Sequence, residues 1–544
     1  MKKWGIFLFS IVMVLVLAAC TANDEAGQEE QDEGVQSEES GGEKVLRMNN
    51  GTEPTSMNPP IGFDASSWNV LNNVMEGLTR LGQDDQPQEA MAESWEVSED
   101  GLTYTFKIRE DANWSNGEPV TAEDFVYAWT YMLEPETASP AAFLAYFIEG
   151  AEAFNAGEGS AEDLGLTAVD EKTFEVKLAQ PTGAFLNIIS NPSFFPVHKA
   201  TAEENPEWFA EADTFVANGP FKLESWEHDS EIVMAKNEEY WDAETVKLDK
   251  VHWAMVSDTN TEYQMFESGD LDMTEIPADS AEELIDSENV VIEDQAGLAF
   301  YRFNVEEEPF QNKKIRQAIG KAVNQQELVD YVTKMGEVPA TGFVSPGFED
   351  AEGNDFRETN GDLQTFDAEE AKQLLEEGME EEGYDELPTI TLTYSNTESN
   401  RIVAEAIQQM VSQNIGVDME LSASESNVFL DEQRALQHQL SRSSFLHDYA
   451  DPVNALESFV TDSSMNRTGW SNEEYDQLIA DAKAETDEQA RYELLYEAEK
   501  LLMEEAPIFT LHYYNQVYLY ADSISDVVRH PVGYLELKWA DKEA

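Results

Sequence analysis

The chain has 544 residues, 41% of them hydrophobic, with 11 Trp, 19 Tyr and 27 Phe. That is room for roughly three to four domain-sized units and too much apolar content for general disorder. Acidic residues number 111 against 32 basic ones, a formal net charge of -79, which argues against binding to nucleic-acid phosphates or anionic lipid headgroups.

The single cysteine, Cys20, excludes an internal disulfide framework, a cysteine zinc site and a redox pair. The acidic excess itself has two readings. A hydrated acidic surface suits a saline or alkaline exterior, where screening shortens to ~3 Å at 1 M salt; a lineage-wide acidic bias gives the same composition.

Lys2 and Lys3 precede an apolar run from Ile6 to Leu17, broken only by Ser10. The run is shorter than a comfortable span of ~20 residues and suits the apolar region of a signal peptide over residues 1–19. It ends in Leu17-Ala18-Ala19-Cys20, which resembles the bacterial lipobox. That resemblance implies a diacylglyceryl group on the Cys20 thiol, with acyl chains such as palmitate holding the mature chain to the outer face of the cell membrane. After Cys20, the segment to residue 44 is rich in Glu, Gln, Ser and Gly and reads as an unfolded acidic tether.

From Lys44 onward, strand and helix patterns alternate. Leu102 to Arg109 alternates polar and apolar residues, as a half-buried strand does. Thr121-Ala-Glu-Asp124 reads as a capping box, with Phe125, Trp129 and Met132 following at helical spacing. Thr173 to Leu178 is a second alternating run. Asp367 to Glu377 reads as a helix stopped by Gly378, and Glu398 to Asn414 as one closed by Gly416. Thr389–Tyr394 and Val417–Leu421 read as strands, and residues 472–505 as largely helical. This alternation predicts α/β lobes.

Several segments, in order, carry a family resemblance. They include Met91-Ala-Glu-Ser-Trp95, Tyr104 to Arg109, Trp114 to Phe125, Asn218-Gly-Pro-Phe221, Asn237 to Trp241 and Phe266 to Asp272. Phe310 to Ile319, Asn414 to Asp418 and Asp462 to Asn466 complete the series. Together the chain resembles the family 5 extracellular solute-binding proteins, which include oligopeptide-, dipeptide- and nickel-binding members. The resemblance implies an α/β, two-lobed periplasmic-binding-protein-like clamp (type II, cluster C) with an extra inserted domain. Lobe I is expected from residues 45–75, 186–300 and 511–544, the inserted domain from 76–185, and lobe II from 301–510.

The same resemblance implies an ABC importer's binding subunit, working with permease and ATPase subunits, monomeric and without cofactor, metal or nucleic acid. Arg442 to Pro452 is similar to the stretch of oligopeptide-binding members that grips the ligand. Asp448 is implied as the partner of a peptide's α-ammonium, with Arg442 orienting Asp448 or meeting the ligand. The ligand backbone is expected between a short strand at Phe63-Asp64-Ala65 and another at Ser444-Phe445-Leu446, with Tyr449 alongside. Phe63 is a candidate lid, Asp64 a candidate selector for basic ligands, and His447 a candidate pH-sensitive contact. Arg401 and Arg434 are candidates by region for the peptide carboxylate. Dipeptides, nickel chelates and signalling peptides remain alternative ligands.

A secreted enzyme is the competing class. The histidines His198, His228, His252, His438, His447, His512 and His530 form no His-Glu-x-x-His pair, and no Gly-x-Ser-x-Gly elbow occurs.

Cys20→Ser should move the protein from the membrane fraction into the medium. Retention in washed membranes would remove the lipid-anchor reading.

Overall fold

The computed structural model describes residues 42–277 and 280–543; the leader, Cys20 and almost all of the tether lie outside them. Strand β1 (Val45–Asn49) buries Leu46 and Met48 on one face, following the period of two that a strand imposes. Helix α1 (Ala65–Val74) follows.

The chain then builds a second, antiparallel sheet from β2 (Ala92–Val97), β3 (Thr103–Ile108), β4 (Leu166–Asp170) and β5 (Thr173–Lys177), in spatial order β2-β3-β5-β4. Helix α2 (Ala122–Leu133) starts where expected: the Thr121 N–H and hydroxyl both donate to Asp124 Oδ2 at 2.9 Å. Its Phe125, Trp129 and Met132 are buried. Strands β6 (Phe221–Glu227), β7 (Glu231–Lys236) and β8 (Lys250–Ala254) return to the first sheet. There β8 lies parallel to β1, giving the order β1-β8-β7-β6.

The third sheet holds β9 (Met273–Glu275), β10 (Val290–Phe303), β11 (Ile390–Ser395), β12 (Met419–Ser424), β13 (Leu440–Leu446) and β14 (Ile508–Tyr520), in order β9-β14-β10-β13-β11-β12. β10 and β14 have 14 and 13 residues, against a usual strand length of about 5–6. They pair antiparallel with register shifts between Gln295 and Leu298 and between Ala299 and Phe300. Such irregularities bend and twist a ladder. The early part of β10 lies beside the stretch of β14 that pairs with β9, and its later part carries β13. Two strands thus run continuously between the two ends of this sheet.

One large apolar cluster unites the first two sheets through Phe106, Trp114, Trp129, Phe174 and Trp253. Another lies under the third sheet, where Tyr301, Phe303, Leu392 and Leu440 meet Ile315 and Ile319 of α3 (Lys313–Ala322). Helix α4 (Ala368–Glu382) departs from expectation, continuing past Gly378 to stop at Gly383, φ 74°. Gly378 faces α3, and a Cβ there would meet Ile315 Cγ1 at 2.8 Å and Asn312 Oδ1 at 2.9 Å. The glycine permits a close helix crossing; it does not reverse the chain.

Helix α5 (Glu398–Ile415) ends at Gly416 as expected. β12 begins two residues later than the apolar pattern suggests. Next come α6 (Ser426–Arg434) and α7 (Pro452–Leu456). The expected helical stretch divides into α8 (Glu473–Ala484) and α9 (Glu488–Glu505), because the Asp487 side chain caps the second at the Ala490 N–H. Among the described residues, no helix is long and apolar enough to cross a membrane.

Gly378→Ala should cost about 1–3 kcal/mol in urea unfolding, the usual penalty of overpacking a close contact. A neutral result would show that α3 and α4 separate freely.

Candidate functional site

Strand β13 is bound on one side by β10, with Leu446, Phe445 and Ser444 facing Gly297, Leu298 and Ala299. The Asn304 N–H donates to the Gln439 carbonyl at 2.8 Å, and the His447 N–H to the Ala296 carbonyl at 3.0 Å. These two bonds set the alternation of the ladder: odd-numbered residues of β13 address β10, and even-numbered ones address the other edge. On that edge β11 pairs only with Leu440 and Ser441. The backbone groups of Ser444 and Leu446 therefore point outward, and among the described residues nothing bonds them. Their side chains are exposed, Leu446 by 51%. Phe445 turns to the opposite face and packs on Phe343 at 5.7 Å.

Asp448 lies just beyond the strand. Its N–H donates to Asn454 Oδ1 at 2.9 Å, and its carbonyl accepts from the Tyr534 hydroxyl at 3.1 Å and from Asn191 Nδ2 at 3.3 Å. The backbone is thus held on both sides while the carboxylate enters no ion pair among the described residues. Burial pushes its pKa up, a bond from Asn454 pulls the other way, and the nearby Glu457 charge adds to the rise. The following turn is fixed by Asp451, which caps α7 at the Val453 N–H (2.9 Å) and pairs with Arg491 at 3.0 and 2.5 Å, buried.

An aromatic chain links Phe63 to this loop. Phe63 meets Trp68 edge-on at 5.2 Å, Trp68 meets Tyr534 at 5.7 Å, and Tyr534 holds the Asp448 carbonyl. Phe63 also meets Phe143 at 6.1 Å. Phe143 and Tyr449 both line a cavity of about 340 Å³ with Tyr146, Phe147 and Lys483. The Tyr449 hydroxyl donates to Glu457 Oε1 at 3.1 Å.

Several expectations need correction. Phe63-Asp64-Ala65 is not a strand: Phe63 is in a loop and Ala65 begins α1. Asp64 is its N-cap, accepting from the Ser67 N–H (2.9 Å), the Ser67 hydroxyl (2.8 Å), Ser66 and Thr55. Burial pulls its pKa upward, but these bonds outweigh it and leave the carboxyl below its ordinary value. With its oxygens occupied in this way, Asp64 is committed to the helix cap, not to ligand selection. His447 is buried between Phe348 (4.6 Å) and Phe445 (5.2 Å), and burial pushes its pKa down to about 3. It therefore stays neutral through the physiological range and supplies no pH switch there.

The Arg442 guanidinium bonds the Tyr514 hydroxyl at 3.3 Å and does not reach Asp448; among the described residues it has no carboxylate partner. Arg401 is paired with Glu398 (2.5 Å) and Glu405 (2.6 Å), and Arg434 with Asp431 (3.0 Å), so both serve their own helices.

A family model described as bacterial extracellular solute-binding proteins, family 5, matches residues 86–467. The chain belongs to this family. It is 56% identical over 99% of both chains to the dipeptide-binding protein DppE of Bacillus subtilis. Among solved structures, it resembles the unliganded open form of MppA, a periplasmic murein tripeptide binding protein, with a TM-score of 0.82 at 28% identity, covering 92% of this chain and 99% of the other. Against Listeria monocytogenes OppA bound to peptide the score is 0.71 at 31% identity, covering 92% and 100%. The higher score falls on the open form despite its lower identity. As in these relatives, the family 5 chain folds as a two-lobed clamp.

Sequence reasoning missed the residues that hold this candidate site in shape. Tyr534 and Asn191 lie 86 and 257 positions from Asp448, and no local spacing signals them. Asn454 was within reach, since a polar side chain two residues past Pro452 is placed to turn back on the loop.

Asp448 binds its proton more tightly folded than unfolded, so stability is lost as pH rises from the unfolded carboxyl value of about 3.9 through the raised folded one. Asp448→Asn should therefore raise the urea midpoint of the ligand-free protein at neutral pH, with the gain shrinking on acidification. A lowered midpoint would mean that the carboxylate is already compensated.

Proposed function

We propose that this family 5 protein is the substrate-binding lipoprotein of an ABC importer that captures oligopeptides outside the cell membrane. On this reading it is tethered there through Cys20, closes its clamp on the ligand and delivers it to permease and ATPase subunits. The observation that carries the proposal is the unpaired, partly buried carboxylate of Asp448 beside a strand edge with free backbone groups. A peptide α-ammonium supplies the missing positive charge through charge-assisted hydrogen bonds. The peptide backbone adds to the edge at Ser444 and Leu446, using atoms that every peptide has. Arg442, on the same strand with no acidic partner among the described residues, suits the far carboxylate of a short ligand. Phe63 and Tyr449 supply apolar and aromatic walls, and waters fill what a given side chain leaves empty.

Binding of this kind reads the main chain and tolerates many side chains. The names of the relatives support a peptide ligand: one is a dipeptide-binding protein and another is an OppA bound to peptide. The 56% identity to the dipeptide-binding relative also favours a second reading, in which the preferred ligand is a dipeptide.

Protein stripped of co-purified ligand by unfolding and refolding should bind a free tetrapeptide in calorimetric titration and lose most of that affinity for the N-acetylated twin. Asp448→Ala should weaken binding by about 2–5 kcal/mol, the cost of removing one member of a buried charge pair. Equal binding of both peptides would discard the ammonium role of Asp448 while keeping the peptide class. No binding of peptides of any length would discard the proposal.

A further inference from the structure

The free edge of β13 is short because it is closed at both ends. At one end the backbone of Asp448 is fully engaged, its N–H by Asn454 and its carbonyl by Tyr534 and Asn191. At the other end, the outward-facing carbonyl of Arg442 accepts a hydrogen bond from Gln433 Nε2 at 2.7 Å. Gln433 sits in the last turn of α6 and is 2% exposed. The same Nε2 donates to Ser441 Oγ at 2.7 Å, and its Oε1 accepts from Arg467 Nη1 at 3.4 Å. Three partners hold the amide against β13 one residue short of where β11 pairs with Leu440 and Ser441. On this edge, among the described residues, only Ser444 and Leu446 remain open.

We propose that Gln433 is a length-determining residue: it caps the open edge so that the backbone of only three ligand residues can pair with β13. This rests on the peptide reading and specifies its ligand. A ligand with its ammonium at Asp448 runs antiparallel to β13. Its first residue then faces Leu446 and exchanges two bonds with it. The third faces Ser444 and does the same, because paired positions recur every second residue. The second and fourth residues face Phe445 and Ser443, whose backbone groups belong to β10. The fifth would face Arg442, whose carbonyl Gln433 already occupies. The substrate class is therefore a tripeptide, or a longer peptide whose chain leaves the edge after its third or fourth residue.

The test uses the ligand-free wild-type protein and pentaalanine, with single N-methyl groups at residue three or residue five. Methylation at residue three removes a bond to the Ser444 carbonyl and should weaken binding about tenfold. Methylation at residue five should change affinity by less than about twofold, since no bond is lost. Extending trialanine to pentaalanine should bring no comparable gain. In Gln433→Ala the Arg442 carbonyl is released, and residue-five methylation should acquire a cost approaching that at residue three.

Equal costs at residues three and five in the wild-type protein would overturn the proposal, and that comparison needs no variant to fold. So would a folded Gln433→Ala protein, by circular dichroism, in which residue-five methylation stays silent. Failure of every alanine peptide from two to five residues would overturn the peptide reading, and this inference with it. Peptides that bind without the expected length pattern overturn this inference alone.

Discussion

Backbone amides and carbonyls that leave water must find partners, and the site is organised around two residues that keep theirs unpaired at the margin of the clamp. Ser444 and Leu446 can do so because β13 is exposed on one edge and anchored on the other. The anchor is β10, itself locked to β14 over most of its length. A strand bound along one side cannot shift register to satisfy its free side, so the open groups remain directed at whatever enters. The Gln433 amide at one end and the Asp448 loop at the other convert an indefinite edge into one of defined length.

Charge works differently at the two scales of the molecule. The net charge of -79 spreads over the whole chain, and exposed acids of this kind are screened by salt over about 8 Å at physiological ionic strength. Asp448 acts locally: partial burial weakens the screening, and among the described residues no cation answers it. Nearby, Asp451 is answered by Arg491. Of two carboxylates in one loop, the paired one holds the loop in shape and the other is the proposed ligand contact. Arg442 is the converse case, a cation without an acid among the described residues of a chain that has acids in large excess. The site's polarity therefore comes from which groups are left without partners, not from composition.

The elements with local causes were legible in the sequence. The α2 capping box and the closure of α5 at Gly416 depend on residues within a few positions of one another, and both stand as expected. Expectations failed where a residue served a distant contact. Gly378 has the look of a stop but exists to admit α3. Asp64, expected in a strand beside the ligand, caps α1. His447, adjacent to Asp448 in sequence, points into an aromatic core on the opposite face, because successive strand residues alternate sides.

By itself the sequence determined the family, the α/β character of the lobes and the stretch from Arg442 to Tyr449 as the place to look, because those depend on ordered motifs and short-range periodicity. Only the tertiary structure decided which backbone groups of that stretch are open and which are closed. The edge is defined by where β11 stops pairing, by a glutamine on α6 and by a tyrosine and an asparagine 86 and 257 positions from Asp448. Hydrogen-bond satisfaction is a property of what surrounds a group in space, and no local pattern encodes it.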